Sequence, residues 1–121
     1  MQSIYDRVQY YKIGEAEKEA LINKLKAVLK NKKTVKRAWI FGSLTKRASV
    51  RDLDLAIHSD PKMAFSDFLS LNAQIELELG IPVDMVEIED TPKSLKANIL
   101  TNGILIKGTR QFQTQPQKTT V

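Results

Sequence analysis

The chain contains no cysteine and only one histidine, His58. Without thiols it cannot form a disulfide bridge or a thiolate zinc site, and a single imidazole cannot supply a histidine cluster. A metal ion held by this protein would therefore be a hard cation bound by oxygen ligands. The chain also lacks any run of about 18 apolar residues, which excludes a membrane-spanning helix.

The first residues reach a charge at Asp6 without the apolar stretch that a signal peptide needs. We therefore expect a cytoplasmic protein that does not associate with membranes. A length of 121 residues suits a single domain, which buries roughly 65–70% of its unfolded surface without covalent cross-links.

The net charge of +5 is unevenly distributed along the chain. Residues 1–51 hold 13 Lys or Arg and 4 Asp or Glu, a balance of +9, whereas residues 52–121 have a balance of −4. This asymmetry fits an anion site beside a cation site, and it fits equally an ordinary charged surface. A nucleic-acid-binding or nucleic-acid-modifying protein stays as an alternative that only the basic half suggests.

Hydrophobic periodicity predicts helices and short strands in alternation. Asp60-Pro61 and Thr91-Pro92 each predict an N-cap followed by proline at the first helical position, and Gly80 and Gly103 predict helix ends. This order predicts a mixed sheet covered mainly on one face by helices. The predicted elements are helix 15–32, strand 35–41, strand 53–57, helix 61–79, strand 83–88, helix 92–102 and a short strand 104–106.

Two terminal segments lie outside the predicted domain of residues 15–108. Residues 1–14 fit either a short helix or an extended arm. Residues 109–121 are rich in Gln, Thr and Lys with almost nothing apolar, so a disordered tail is expected.

Three aspartates interrupt two otherwise apolar strands. Because side chains alternate along a strand, Asp52 and Asp54 share one face of the strand 53–57, and the apolar residues share the other. Asp84 lies in the strand 83–88 and converges on the same point if the two strands are adjacent. Neighbouring carboxylates repel each other, and a divalent cation removes that conflict. The alternative is a solvated sheet edge whose acids pair with lysines.

Gly42 and Ser43 directly follow the strand 35–41. Glycine has no Cβ, so its backbone can approach a phosphate closely, and Ser43 offers a hydroxyl to the same anion. Lys46 and Arg47 add cationic side chains near the oxygens of a triphosphate. An ordinary turn would use the same residues, so the turn alone does not establish an anion site.

The combination of these motifs resembles the minimal nucleotidyltransferases of the DNA-polymerase-beta-like superfamily. The residues that carry the resemblance are Phe41-Gly42-Ser43, Asp52-Leu53-Asp54 and Pro82-Val83-Asp84-Met85-Val86. It extends over about residues 18–108. It implies an α/β (α+β) chain with the two-layer nucleotidyltransferase fold, in which a mixed β-sheet of three to four strands packs against helices.

The resemblance also implies a role for each motif. The catalytic residues would be Asp52, Asp54 and Asp84, which would also hold Mg²⁺, or Mn²⁺, with ATP as the substrate. Asp84 would be a metal ligand or the base that takes the proton from the acceptor hydroxyl. The residues that would bind the phosphates of the nucleotide are Gly42, Ser43, Lys46 and Arg47.

Minimal nucleotidyltransferases of this kind act as antitoxins to HEPN-domain toxins, and some add AMP to a tyrosine of the toxin. The resemblance therefore implies a protein adenylyltransferase that neutralises a HEPN partner. The alternative is a catalytically weak or inactive antitoxin that blocks its partner by contact. The loop favours this alternative slightly, because Leu44–Ala48 lacks the family's glycine and Arg51 replaces the serine often found before the first aspartate.

Other residues are expected to be structural. Trp39 and Phe41 are expected in the core, because they lie in a buried strand. His58 is expected to be half-buried or exposed, and Glu87 and Glu89 are expected to be solvated.

Overall fold

The computed structural model describes residues 11–12, 14–42, 49–50 and 52–109 of the chain. Within these residues the chain forms three α-helices, a four-stranded sheet and a two-stranded ladder. The predicted N-terminal arm and C-terminal tail lie almost wholly outside them. In chain order the elements are β1 (Tyr11–Lys12), α1 (Glu15–Lys30), β2 (Val35–Phe41), β3 (Ser49–Val50), β4 (Leu53–Ser59), α2 (Phe65–Leu79), β5 (Val83–Glu87), a 3-10 turn (Ile88–Asp90), α3 (Lys93–Asn102) and β6 (Ile104–Lys107).

The main sheet has the strand order β5-β4-β2-β6. β2 pairs antiparallel with both β4 and β6, whereas β4 and β5 run parallel. A parallel pair needs a crossover connection, and α2 provides it between these two strands. The predicted mixed sheet packed against helices is therefore confirmed.

The sheet carries a hydrophobic core on each face. Alternation along β4 places Leu53, Leu55 and Ile57 on one face, where they are fully buried against α1 and α2. Trp39 lies on the other face and packs with Ile99 of α3. Full burial of such a side chain stabilises the fold by about 1.5–3 kcal/mol, so both faces hold the strands in place. Within the described ranges, no helix has the length and apolar character needed to cross a membrane.

α2 begins later than the sequence predicts. Its N-cap is Ala64 rather than Asp60. The backbone N–H of Asp60 donates to the carbonyl oxygen of Thr34 (2.8 Å), and the N–H of Met63 donates to Ser59 Oγ (3.1 Å). Because these bonds hold the connection in a turn against the start of β2, the predicted cap at Asp60 and the helical start at Pro61 are wrong.

The predicted cap of α3 is displaced by one residue. The N-cap is Pro92, and the hydroxyl of Thr91 instead donates to the carbonyl oxygen of Ile88 (2.8 Å), where it closes the 3-10 turn. The predicted helix ends at Gly80 and Gly103 are confirmed. Gly80 adopts a φ of +75°, in the left-handed region that favours glycine after a helix.

Glu87 is buried, and the prediction that it is solvated is wrong. The residue is 6% exposed, and its carboxylate accepts hydrogen bonds from Ser59 N (3.0 Å) and Ser59 Oγ (2.7 Å). A buried carboxylate is costly unless it is hydrogen-bonded, so these two bonds explain why β5 tolerates it. Glu89 is exposed, as predicted, and pairs with Lys96 (3.1 Å).

Lys107, at the end of β6, binds the C-terminal end of α1. Its Nζ donates to the carbonyl oxygens of Leu29 (2.7 Å) and Lys32 (2.9 Å). Burial, together with the charge of Lys36, lowers the pKa of Lys107 below its usual value. Both carbonyl oxygens also accept a backbone N–H, from Lys32 and Val35 respectively, so this lysine adds a charged donor where the helix ends.

Replacing Lys107 with methionine is expected to lower the free energy of unfolding by about 1–3 kcal/mol, because two carbonyl oxygens lose a charged donor. Urea denaturation measures this change. Lys33→Met is the matched control, since Lys33 is exposed in the adjoining turn, and we expect an effect within about 0.5 kcal/mol. Equal losses in the two variants would contradict a stabilising role for the contact.

Candidate active site

Two of the predicted acids stand side by side on neighbouring strands. The parallel register of β4 and β5 pairs Asp54 with Asp84. Paired residues of adjacent strands point to the same face of the sheet, so both carboxylates lie opposite the buried side chains of Leu55 and Met85. The strand adjacency that the sequence argument required is therefore present.

Asp52 lies in a bend directly before β4. The backbone N–H of Leu53 donates to the carbonyl oxygen of Pro82 (2.9 Å), so the contact between the two strands continues to the residue beside Asp52. Asp52 and Asp54 are half-buried, whereas Asp84 is exposed. The three acids therefore lie at the beginning of two adjacent strands, with Asp52 and Asp54 on β4 or just before it and Asp84 on β5. A ligand can reach Asp84 directly from solvent.

Among residues 14–42 and 52–109, no three acidic or histidine side chains are gathered closely enough to hold a metal ion. The structure brings Asp54 and Asp84 into register and leaves Asp52 two positions before the pair. Two carboxylates still fit a hard cation, because Mg²⁺ usually takes one or two protein carboxylates and fills its shell with water and phosphate oxygens. The donors are therefore suited to Mg²⁺ in the presence of a triphosphate.

Gly42 directly follows β2 and lies beside the Asp54 carboxylate. Phe41, the last residue of β2, pairs with Asp54 across the antiparallel ladder, and Gly42 then adopts a φ of +78°. A Cβ at Gly42 would lie 3.1 Å from Asp54 Cγ and still closer to Asp54 Oδ2. Glycine is therefore required by the backbone conformation and by the space available, and the residue is exposed at the surface.

The other predicted phosphate-binding residues, Ser43, Lys46 and Arg47, lie outside the described residues. Their roles stay predictions. His58 is half-buried, as predicted, and lies four residues beyond Asp54 on β4. Trp39 is fully buried, as predicted, whereas Phe41 is half-buried and packs against the core under α3.

Carboxylates form hydrogen bonds at both ends of β5, the strand that carries Asp84. At its start, the N–H of Val83 donates to Glu76 Oε2 of α2 (2.7 Å). At its end, Glu87 accepts the two hydrogen bonds from Ser59 of β4. Sequence reasoning missed both contacts. Nothing in the local sequence pattern connects Glu76 with Val83, or Glu87 with Ser59. These bonds position Asp84 relative to Asp54.

Comparison with known proteins places this geometry in a family. The family model described as polymerase beta, nucleotidyltransferase, matches residues 23–111, which is most of the chain and includes all three aspartates. No curated protein sequence matches this chain.

Several solved structures share the fold. One chain of the tri-AMPylated Shewanella oneidensis HEPN toxin in complex with MNT antitoxin superposes with a TM-score of 0.67 at 20% identity, covering 81% of this chain and 78% of that chain. A toxin–antitoxin structure with AMP-PNP gives 0.69 at 22% identity and covers 82% of both chains. The toxin–antitoxin MntA–HepT gives 0.65 at 20% identity, covering 84% of this chain and 82% of that chain. At these identities the similarity establishes the fold.

Proposed function

Because the chain belongs to the polymerase beta nucleotidyltransferase family, we propose that it is a minimal nucleotidyltransferase that transfers AMP from ATP to a HEPN-domain toxin. Transfer of AMP neutralises the toxin, which makes this chain the antitoxin of the pair. The observation that carries the proposal is the register of Asp54 with Asp84, beside a glycine where a Cβ would meet the Asp54 carboxylate.

The carboxylates of Asp52, Asp54 and Asp84 would hold Mg²⁺ or Mn²⁺. When bound, the ion neutralises charge on the triphosphate and polarises the phosphorus under attack. The chain contributes the spacing of the acids, since two of them sit at paired positions of adjacent strands and cannot separate without breaking the ladder. Most of the catalysis is therefore positioning and charge neutralisation.

The phosphates of ATP would lie against Gly42 and the residues that follow it in the sequence. The backbone of Gly42 can approach them without interference from a Cβ, and the hydroxyl of Ser43 adds a donor. Lys46 and Arg47 supply positive charge to the β- and γ-phosphates. These groups hold the nucleotide with its α-phosphorus near the acids.

In the proposed reaction, a hydroxyl of the toxin attacks the α-phosphorus of ATP. A bond forms between that hydroxyl oxygen and phosphorus, while the bond from phosphorus to the oxygen that bridges to the β-phosphate breaks. Pyrophosphate leaves with the electron pair of the broken bond. Asp84 is exposed, so it is the acid that an incoming hydroxyl reaches first, and in its alternative role to that of a metal ligand it is placed to accept the proton.

The choice of partner draws on the structures that share the fold. One contains an MNT antitoxin with a HEPN toxin that carries AMP, and another is a toxin–antitoxin structure with AMP-PNP. The HEPN partner and the transfer of AMP are assigned to this chain by analogy with these structures.

A second candidate function is an antitoxin that blocks its partner by contact, without transfer. It is favoured by the lack of a group of three metal ligands among the described residues and by the altered sequence after Ser43. Such a protein keeps the fold and the partner surface, and its neutralising effect does not depend on the aspartates.

One experiment separates the two functions. The chain is incubated with Mg²⁺, ATP labelled at the α-phosphate and a HEPN-domain protein from the same genome, and the label on that protein is measured. The toxicity of the HEPN-domain protein is measured separately, in cells that produce both proteins. We expect label and loss of toxicity with the native chain, and neither with Asp52→Asn/Asp54→Asn. Loss of toxicity without label, in both chains, would contradict the transferase and support the contact antitoxin.

A further inference from the structure

The exposed apolar surface of the described residues is concentrated on one helix. Only three large apolar side chains are exposed in the described part of the chain, namely Phe65 (73%), Leu69 (50%) and Leu77 (85%), and all three belong to α2. Single exposed apolar side chains are ordinary on protein surfaces. It is unusual, however, for all of them to lie on one helix. This clustering indicates that the exposed side of α2 has a function of its own.

These side chains form a continuous row. Phe65, Leu69, the exposed Ala73 and Leu77 are spaced by four residues, and we call them the α2 row. Residues four apart on a helix form a ridge that extends, over this span, for about 18 Å. The opposite side of α2 faces the core through its buried residues, so the row lies on the outside of the domain. Ridges of this type pack into the grooves of a second helix.

A cavity adjoins the N-terminal end of the α2 row. It has a volume of about 250 Å³ and is lined by three apolar residues, Met63, Phe65 and Phe68, and by three charged ones, Lys62, Glu87 and Asp90. A cavity of this size with an apolar wall can receive one large apolar side chain from another molecule. The row and the cavity together provide the ridge and the pocket that a helix–helix contact needs.

α2 itself carries only negative charge. Its charged residues are Asp67, Glu76 and Glu78, and Lys24 and Lys32 lie beside Glu78 on the flank of the helix that faces α1. At the other end of the helix, Lys62 is paired with Asp90. A second copy of this chain would bring acidic segments together, which disfavours a homodimer through this helix. The charge instead favours an occupant that carries Lys or Arg at its border.

The α2 row lies behind the candidate active site, on the other side of the sheet. α2 packs on the face that holds Leu55, whereas Asp54 and Asp84 lie on the opposite face. β5 is an edge strand of the main sheet among the described residues and separates the two surfaces. A protein bound along α2 would leave the acids open, and part of it could reach them around the edge formed by β5.

From the row, the cavity and the charge, we infer that α2 is the docking surface for the partner protein. The occupant is an amphipathic α-helix of the partner, with an apolar groove for the α2 row and Lys or Arg beside it. This inference rests on the proposed function, since the partner is the HEPN-domain protein that receives AMP. The inference names α2 as the face of this chain that the partner binds. It also separates the binding surface from the site of AMP transfer.

The test compares two doubly substituted chains. Phe65→Glu/Leu77→Glu adds two negative charges to the α2 row, and Ser70→Glu/Gln74→Glu adds the same two charges elsewhere on the exposed surface of the same helix. Affinity for the HEPN-domain protein is measured by calorimetry. The first chain is expected to bind about thirtyfold more weakly or worse than the native chain, and the second within about threefold. Circular dichroism and thermal melts of both chains should match the native chain, because all four positions are exposed.

The outcomes are distinguishable. If the native chain binds and Phe65→Glu/Leu77→Glu binds equally well, the docking surface is wrong and the proposed function stands. If the native chain does not bind the HEPN-domain protein, the proposed partner is wrong and this assignment falls with it. If the native chain alone sediments as a dimer that Phe65→Glu/Leu77→Glu dissociates, the occupant is a second copy and the inference is overturned. Easier proteolysis of residues 1–13 in that variant would overturn it too, by pointing to the chain's own N-terminal segment as the occupant.

Discussion

Asp84→Asn is expected to lower the rate of AMP transfer by about a thousandfold while leaving the fold intact. The asparagine keeps the shape of the side chain and removes the charge, so the pair with Asp54 loses one of its two anionic donors. Loss of a metal contact or of the proton acceptor removes several kcal/mol of transition-state stabilisation, and about 1.4 kcal/mol corresponds to a factor of ten in rate. Single-turnover transfer of labelled AMP measures the change.

A readout other than activity accompanies this prediction. Mg²⁺ with a non-hydrolysable ATP analogue should raise the melting temperature of the native chain and raise that of Asp84→Asn much less. In the absence of metal, Asp84→Asn should be slightly more stable than the native chain, because like charges at paired positions of neighbouring strands repel each other.

Asp60→Asn is the matched control for this prediction. Asp60 is also an exposed carboxylate, in the turn that directly follows β4, and it lies outside the pair formed by Asp54 and Asp84. Its neutralisation should leave transfer and the metal-induced shift within about twofold of the native values. Similar losses in Asp84→Asn and Asp60→Asn would show that general acidity, and not the register with Asp54, matters for activity.

Gly42→Ala is expected to lower the transfer rate by at least about a hundredfold and the stability by about 1–3 kcal/mol. The new Cβ meets the Asp54 carboxylate and must displace it or the end of β2. The positive φ adds strain for any residue with a side chain. A displacement of about 1 Å at a catalytic group is enough to account for such a loss of rate.

Gly80→Ala separates the two causes of that loss. Gly80 has nearly the same φ, +75° against +78° for Gly42, but a Cβ at Gly80 meets nothing within 4 Å. We therefore expect a loss of about 1 kcal/mol in urea denaturation with an unchanged transfer rate. If Gly80→Ala loses as much stability as Gly42→Ala, and both retain full activity, the contact of Gly42 with Asp54 has no role in catalysis.

The carboxylate pair could be predicted because its signal is local. Alternation along a strand is a property of the backbone, so Asp54 and Asp84 stood out against the apolar residues on either side of them. What the local pattern left open was whether the strands are adjacent. A single helical crossover between two strands usually makes them parallel neighbours, and α2 does so here.

The contacts that brace the site could not be predicted, because they join residues far apart in the chain. Glu87 is buried by virtue of Ser59, which lies 28 positions earlier, and a strand pattern alone does not distinguish a solvated glutamate from a satisfied buried one. The start of α2 was missed for a related reason. Ser59 Oγ accepts the N–H of Met63 ahead of the helix, so the proline signal at Asp60-Pro61 marks a turn.

The outward position of the α2 row was also hidden in the sequence. Phe65 and Leu69 fit the apolar pattern of α2 as well as the buried Ile75 does, since a helical pattern does not state which apolar residues meet the core. Only the packing of α2 against the sheet separates the two sets.

The bracing of β5 at both ends has a consequence for how this protein can change over time. The bonds that brace β5 come from Glu76, Glu87 and Ser59, which lie outside the segment 43–48 that is predicted to bind the phosphates. Substitutions in the segment 43–48 can therefore alter nucleotide binding while the spacing between Asp54 and Asp84 stays constant. Nucleotide preference can then change among descendants of this gene, whereas the proposed pair of acids keeps its position.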